Sequence, residues 1–122
     1  MTKTVLVVDD EKRLCDLVQA YLTQEGFRVV TAADGQEALF VARHEKPDVI
    51  LLDLMMPEMD GFTVLSRMKE DEETADIPVI VITAKELTAQ ERRRLSGHVE
   101  SLLQKGSYMD LEMLDDLVAD LM

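Results

Sequence analysis

Residues 47–61 read PDVILLDLMMPEMDG, an apolar run that ends in Asp53 and gives way to a loop closing on Asp60-Gly61. A run without polar alternation suits a strand buried on both faces, and such strands belong to parallel sheets covered by helices on either side. Working outward, TVLVV ends at Asp9-Asp10, PVIVI ends at Thr83, and VESLLQ ends at Lys105. Parallel strands share their carboxyl edge, and open α/β sheets bind ligands in the crevice outside that edge. Three carboxylates, one hydroxyl and one ammonium are thereby expected in a single pocket.

The intervening segments carry helical spacing. Leu14, Leu17, Val18, Tyr21 and Leu22 mark a first helix, and Ala38, Leu39 and Ala42 mark a second after the strand FRVVTA. Phe62, Leu65 and Met68 mark a third, and Leu111, Leu114, Leu117, Val118 and Leu121 mark a last one. This βαβα order favours an α/β fold with a parallel sheet. Asp34 with Glu37 and Thr88 with Glu91 have capping-box spacing, and Ser107 with Asp110 is a weaker version. The stretch 99–104 reads as a short fifth strand between the breaks at Gly97 and Gly106, and EDEETAD at 70–76 as a solvated acidic connection. KELTAQERRRLSGH, from Lys85 on, is polar and basic, so its helix is expected to be short or loosely docked.

At 122 residues the chain suits one domain, taken as residues 1–122. A net charge of −12 repels the phosphates of nucleic acid and anionic lipid, which argues against direct DNA binding. The apolar stretches fall short of a membrane span, and the opening residues run into a strand pattern with no signal-like leader, so a cytoplasmic location is expected. Cys15, the lone cysteine, shares a stripe with Val18 and Leu22 and reads as a buried thiol without a chemical role. His44 and His98 read as surface residues, and Arg92, Arg93 and Arg94 as a solvated helix face. Met55, Met56 and Met59 read as loop and core filler, since thioethers suit soft metals.

A strand-end carboxylate can attack phosphorus and form an acyl phosphate if a cation offsets the charge of the incoming group, and Asp53 is the candidate. Holding Asp9 and Asp10 beside it is costly because like charges repel, unless a divalent ion lies between them. Mg²⁺ fits, since it takes hard oxygen ligands and keeps water positions that phosphate oxygens can fill. Thr83 supplies a hydroxyl donor and Lys105 a compact ammonium for the phosphoryl oxygens.

The ordered set VLVVDDE, DVILLDLMMPEMDG, PVIVITA and QKG, spread over essentially the whole chain, resembles the receiver domain of two-component response regulators. The resemblance implies a flavodoxin-like, doubly wound five-stranded parallel sheet in the order 2-1-3-4-5 with helices on both faces. It makes Asp53 the phosphoacceptor and, with Asp10, a direct Mg²⁺ ligand. Asp9 supports the ion largely through water, and the backbone carbonyl of Met55 completes the protein ligands. Thr83 becomes the switch hydroxyl, and Lys105 the partner of Asp53 and then of the phosphoryl group. Pro57 and Gly61 shape the loop after the acceptor, while Met55 and Lys85 sit where the family tunes hydrolysis of the acyl phosphate. Two departures stand out. Leu102 occupies the place of an inward-turning aromatic, and Gly106 replaces a proline usually preceded by a cis bond, a geometry costing about 3 kcal/mol without proline.

The leading expectation is a signalling switch that catalyses only its own phosphorylation and dephosphorylation. A histidine kinase or histidine phosphotransfer protein donates to Asp53, as in a phosphorelay, and the change reaches a downstream protein target. Residues 88–122 are a candidate homodimer surface. Three alternatives compete: a degenerate receiver acting as an interaction adaptor, an aspartate-nucleophile phosphatase, and a nucleotide or flavin binder. Met55 stands where the phosphatase class needs a second Asp, and DDEKRL replaces the phosphate-cradling loop that the last requires.

Overall fold

Strand β3 (Val49–Asp53) is buried along its whole length, as its unbroken apolar run demands. A computed structural model of the chain describes residues 2–56, 59–83, 86–99, 101–104 and 119. Flanking β3 are β1 (Thr4–Val8) and β4 (Val79–Thr83), with β2 (Arg28–Ala32) beyond β1. All pair in parallel in the order β2-β1-β3-β4, and Ser101–Gln104 (β5) runs parallel to β4 at the far edge.

Successive strand residues face opposite sides, so the sheet feeds two cores. Val5, Val7, Leu51, Ile80 and Ile82 pack with Cys15, Val18 and Leu22 of α1 (Lys12–Gln24). Leu6, Val8, Ile50, Leu52, Val79 and Val81 pack on the other face. There they meet Ala38 and Ala42 of α2 (Gly35–Glu45), Phe62, Val64, Leu65 and Met68 of α3 (Gly61–Glu70), and Leu95 of α4 (Ala89–Leu95). Leu17 of α1 is 44% exposed, so the buried stripe is narrower than the apolar spacing suggests.

Helix starts follow the sequence signals. The Asp34 side chain accepts from the Glu37 N–H at 2.8 Å, and Asp60 accepts from the Thr63 N–H at 2.9 Å. Thr88 and Glu91 form a reciprocal capping box at 3.0 and 3.1 Å. That cap opens a helix of only seven residues, in which Leu95 is the buried one.

The acidic stretch 70–76 is not simply solvated. Thr74 is buried, and its hydroxyl donates to the Met68 carbonyl at 2.7 Å, tying the turn to the end of α3. Lys69 Nζ reinforces it by donating to the Ala75 carbonyl at 3.1 Å. His44 is exposed and stacks on the exposed ring of Phe40 with centroids 4.0 Å apart. Among the described residues no helix is long and apolar enough to cross a membrane. The last helix, its Ser107/Asp110 cap, Pro57, Lys85, Lys105 and the Lys105-Gly106 bond lie outside the described residues.

Cys15 is buried, and its thiol donates to the Asp9 carbonyl at 3.2 Å. A thiol closed in this way reacts only when α1 leaves the sheet. Native protein is therefore expected to resist a chromogenic disulfide reagent and to titrate one thiol in urea. Immediate native labelling at the rate of a free thiol would contradict the packing.

Candidate functional site

Strand register places the acidic residues before any side chain is considered. Val8 pairs with Leu52, so Asp9 and Asp53 each follow one member of the pair and leave β1 and β3 side by side. Asp53 in turn pairs with Ile82, which sets Thr83 one residue further along the neighbouring strand. The carboxylate oxygens of Asp9, Asp10 and Asp53 all lie within 4.8 Å of one another. Asp9 and Asp53 are buried and Asp10 is exposed, so the cluster opens to solvent on one side only. Thr83 is fully buried at the end of β4.

Backbone N–H groups orient the two buried acids. Asp9 Oδ1 accepts from the Glu11 N–H at 2.9 Å, and Asp53 Oδ1 accepts from the Met55 N–H at 3.0 Å. Both are short-range turns two residues long, of the kind Asp favours. The Asp9 N–H donates to the Ala32 carbonyl at 3.1 Å, and Cys15 holds the Asp9 carbonyl from the first turn of α1. That thiol contact is a supporting feature that sequence reading passed over, because a cysteine on a buried stripe carries no polar signature.

Met55 lies just beyond β3 and is 56% exposed, and its backbone N–H is tied to Asp53. The loop returns to α3 through the Gly61 N–H, which donates to the Leu54 carbonyl at 3.1 Å. Lys105, the fifth residue of the expected constellation, lies outside the described residues.

Three carboxylates in so small a space are a hard-oxygen donor set. They suit Mg²⁺ or a similar divalent ion and do not suit soft metals. The partly open space beside them, bounded by Val7, Leu14, Val18, Leu51 and Ile82, amounts to about 10 Å³. That is room for about one water.

Residues 5–118 match the family of response regulator receiver domains. Response regulator PleD of Caulobacter vibrioides is 51% identical over 84 residues, which is 69% of this chain and 18% of PleD. The chain thus spans less than a fifth of that relative's length. Polar-differentiation response regulator DivK of Brucella ovis is 36% identical over 105 residues, covering 86% of this chain and 85% of DivK. Among solved structures, the Mn²⁺-bound form of response regulator Rcp1 superposes with a TM-score of 0.78 at 30% identity, over 95% of this chain and 88% of Rcp1.

A Cβ at Gly61 would fall 2.6 Å from Leu54 Cα and 2.7 Å from the Asp53 carbonyl oxygen, both backbone atoms that cannot step aside. Gly61→Ala is expected to lower the urea unfolding free energy by about 1–3 kcal/mol, the usual cost of forced overpacking. A change below about 0.5 kcal/mol, the scatter of a surface substitution, would show that the loop is not held against the strand end.

Proposed function

This chain belongs to the response regulator receiver family, the phosphoacceptor switches of two-component signalling, and on that premise we propose that Asp53 is its acceptor. The observation that carries the reading is the convergence of Asp9, Asp10 and Asp53 within 4.8 Å at the ends of β1 and β3. Residues 1–122 are read as a single receiver domain, with Ser101–Gln104 as the fifth strand of a flavodoxin-like 2-1-3-4-5 sheet.

Donation comes from the phosphohistidine of a histidine kinase or histidine phosphotransfer protein. An Asp53 oxygen forms the new P–O bond as the P–N bond breaks, and the departing imidazole takes up a proton. Asp9, Asp10, Asp53 and the Met55 carbonyl would hold Mg²⁺. The ion supplies charge neutralisation that lets an anionic phosphoryl group approach three acids.

This chain's own residues do the positioning. The Met55 N–H fixes one Asp53 oxygen and so sets the plane of the carboxylate. Thr83 donates its hydroxyl to the phosphoryl group once formed, and Lys105 neutralises another of its oxygens. Thr83 is the last residue of β4, whose following segment leads through the buried Leu87 into α4. A pull on that hydroxyl is thereby transmitted toward the α4 side and shifts the balance between two conformations. A downstream protein target reads the shift.

With acetyl phosphate and Mg²⁺, intact-mass measurement is expected to show one added phosphoryl group. The adduct should vanish in Asp53→Asn and when the metal is chelated. An unmodified parent, or an adduct surviving in Asp53→Asn, would overturn the assignment. Thr83→Ala is expected to keep the adduct while losing the change in hydrodynamic or spectroscopic properties that a beryllofluoride mimic induces in the parent. An unaltered response in that variant would remove Thr83 from the switch.

A further inference from the structure

Between α3 and α4, away from the acidic edge, lies an open hollow of about 290 Å³ lined by Phe62, Leu65, Ser66, Lys69, Arg94 and His98. Two of its walls are apolar, one carries a hydroxyl, and three carry basic groups, on a chain whose net charge is −12. Among the described residues no acidic side chain lines it. The hollow is a local reversal of the protein's overall charge.

Both permanent cations are held in place. Lys69 Nζ donates to the carbonyls of Ala75 at 3.1 Å and Ile77 at 3.4 Å, which fixes its ammonium at the rim and leaves one proton for a third acceptor. The Arg94 guanidinium lies 4.4 Å from the centre of the Phe62 ring, an arrangement that orients it and strips part of its water. His98 follows the turn closed by its own N–H on the Leu95 carbonyl. Glu91, the acidic side chain on α4, accepts from the Thr88 N–H at 3.0 Å in the capping box. Among the described residues neither Lys69 nor Arg94 is ion-paired.

We propose that this α3–α4 hollow is a docking site for a protein segment that presents an apolar side chain flanked by carboxylates. The hollow is open, so it can seat one anchor side chain of a segment whose remainder stays outside. An Arg on an aromatic ring beside an apolar floor is also the composition in which binding energy concentrates at protein interfaces. Pre-set cations reduce the ordering cost of association. Exposed charges are screened beyond about 8 Å at physiological ionic strength, so for a segment seated here Lys69 and Arg94 work against the acidic turn 70–76 beside Lys69 and not against the whole net charge. The inference stands apart from the chemistry at Asp53.

The test uses the full chain at physiological ionic strength and a short fluorescein-labelled peptide with Leu-Phe at its centre and Glu on both sides. Anisotropy is expected to show saturable binding, weakened at least several-fold when Gln replaces every Glu. Arg94→Met keeps an aliphatic stem over Phe62, and Ser66→Glu places a carboxylate at the exposed rim. Each is expected to weaken binding about fivefold, near the upper range for one partly exposed ion pair. Both variants are expected to keep the far-ultraviolet circular dichroism of the parent and its mass gain from acetyl phosphate. Equal binding of the Glu and Gln peptides, no saturable binding, or undiminished binding by a folded Ser66→Glu would overturn the proposal. So would saturation by phenyl phosphate with none by the peptide, which would make the hollow a small-anion site. Loss of the acetyl phosphate adduct in the parent with peptide binding intact would count against the Asp53 reading alone.

Discussion

Mutual repulsion among Asp9, Asp10 and Asp53 is the constraint around which the rest of the molecule is arranged. Nothing about β1 or β3 up to Val8 and Leu52 tolerates charge, since both strands are buried between two helical layers. Acidic groups are admitted only where the strands stop, and because the strands are parallel they stop together. The fold thus concentrates like charges on one edge. It holds them there with the Glu11 and Met55 N–H groups, the Cys15 thiol on the Asp9 carbonyl, and the close fit of Gly61 on the Leu54 backbone. A cluster of like charges gains from an added positive charge, which is why its donor set suits a small divalent ion.

Much of this was legible in the sequence because the signals are local or periodic. DVILLD reads as a doubly buried strand from its own composition, and the caps at Asp34, Asp60 and Thr88 lie within three residues of the N–H groups they satisfy. The candidate acids were legible for a related reason, since each ends an apolar run. What escaped depends on contacts between residues far apart or on a single group within a polar stretch. Thr74 looks like one more polar residue in an acidic turn, and only the path of the chain brings its hydroxyl to the Met68 carbonyl. Arg94 and Phe62 are separated by most of β4 and its connections, so a triple arginine gave no hint that its last member lies over an aromatic ring. Leu17 shows the converse, where helical spacing indicated a stripe but not how much of it the sheet would cover.

Helices α1 and α4 are unequally fastened, and that inequality bears on how a local change at the acidic edge would reach a partner. On one side α1 is thirteen residues long and lays Cys15, Val18 and Leu22 into the sheet. On the other, α4 has seven residues, of which Leu95 is buried, with Leu87 preceding it and Arg94 resting on Phe62. An Arg–aromatic contact at an exposed site contributes about 0.5–1 kcal/mol, too little to lock a helix. Elements that move in switching are drawn from the least secured parts of a structure, and α4 follows directly from the strand that ends in Thr83. Leu102, half-buried against the same core, cannot reproduce the polar-tipped swing of an aromatic side chain. On the proposed reading of Thr83 as the switch, the weak seating of α4, rather than an aromatic rotamer, is the feature that would carry its displacement to the outer surface.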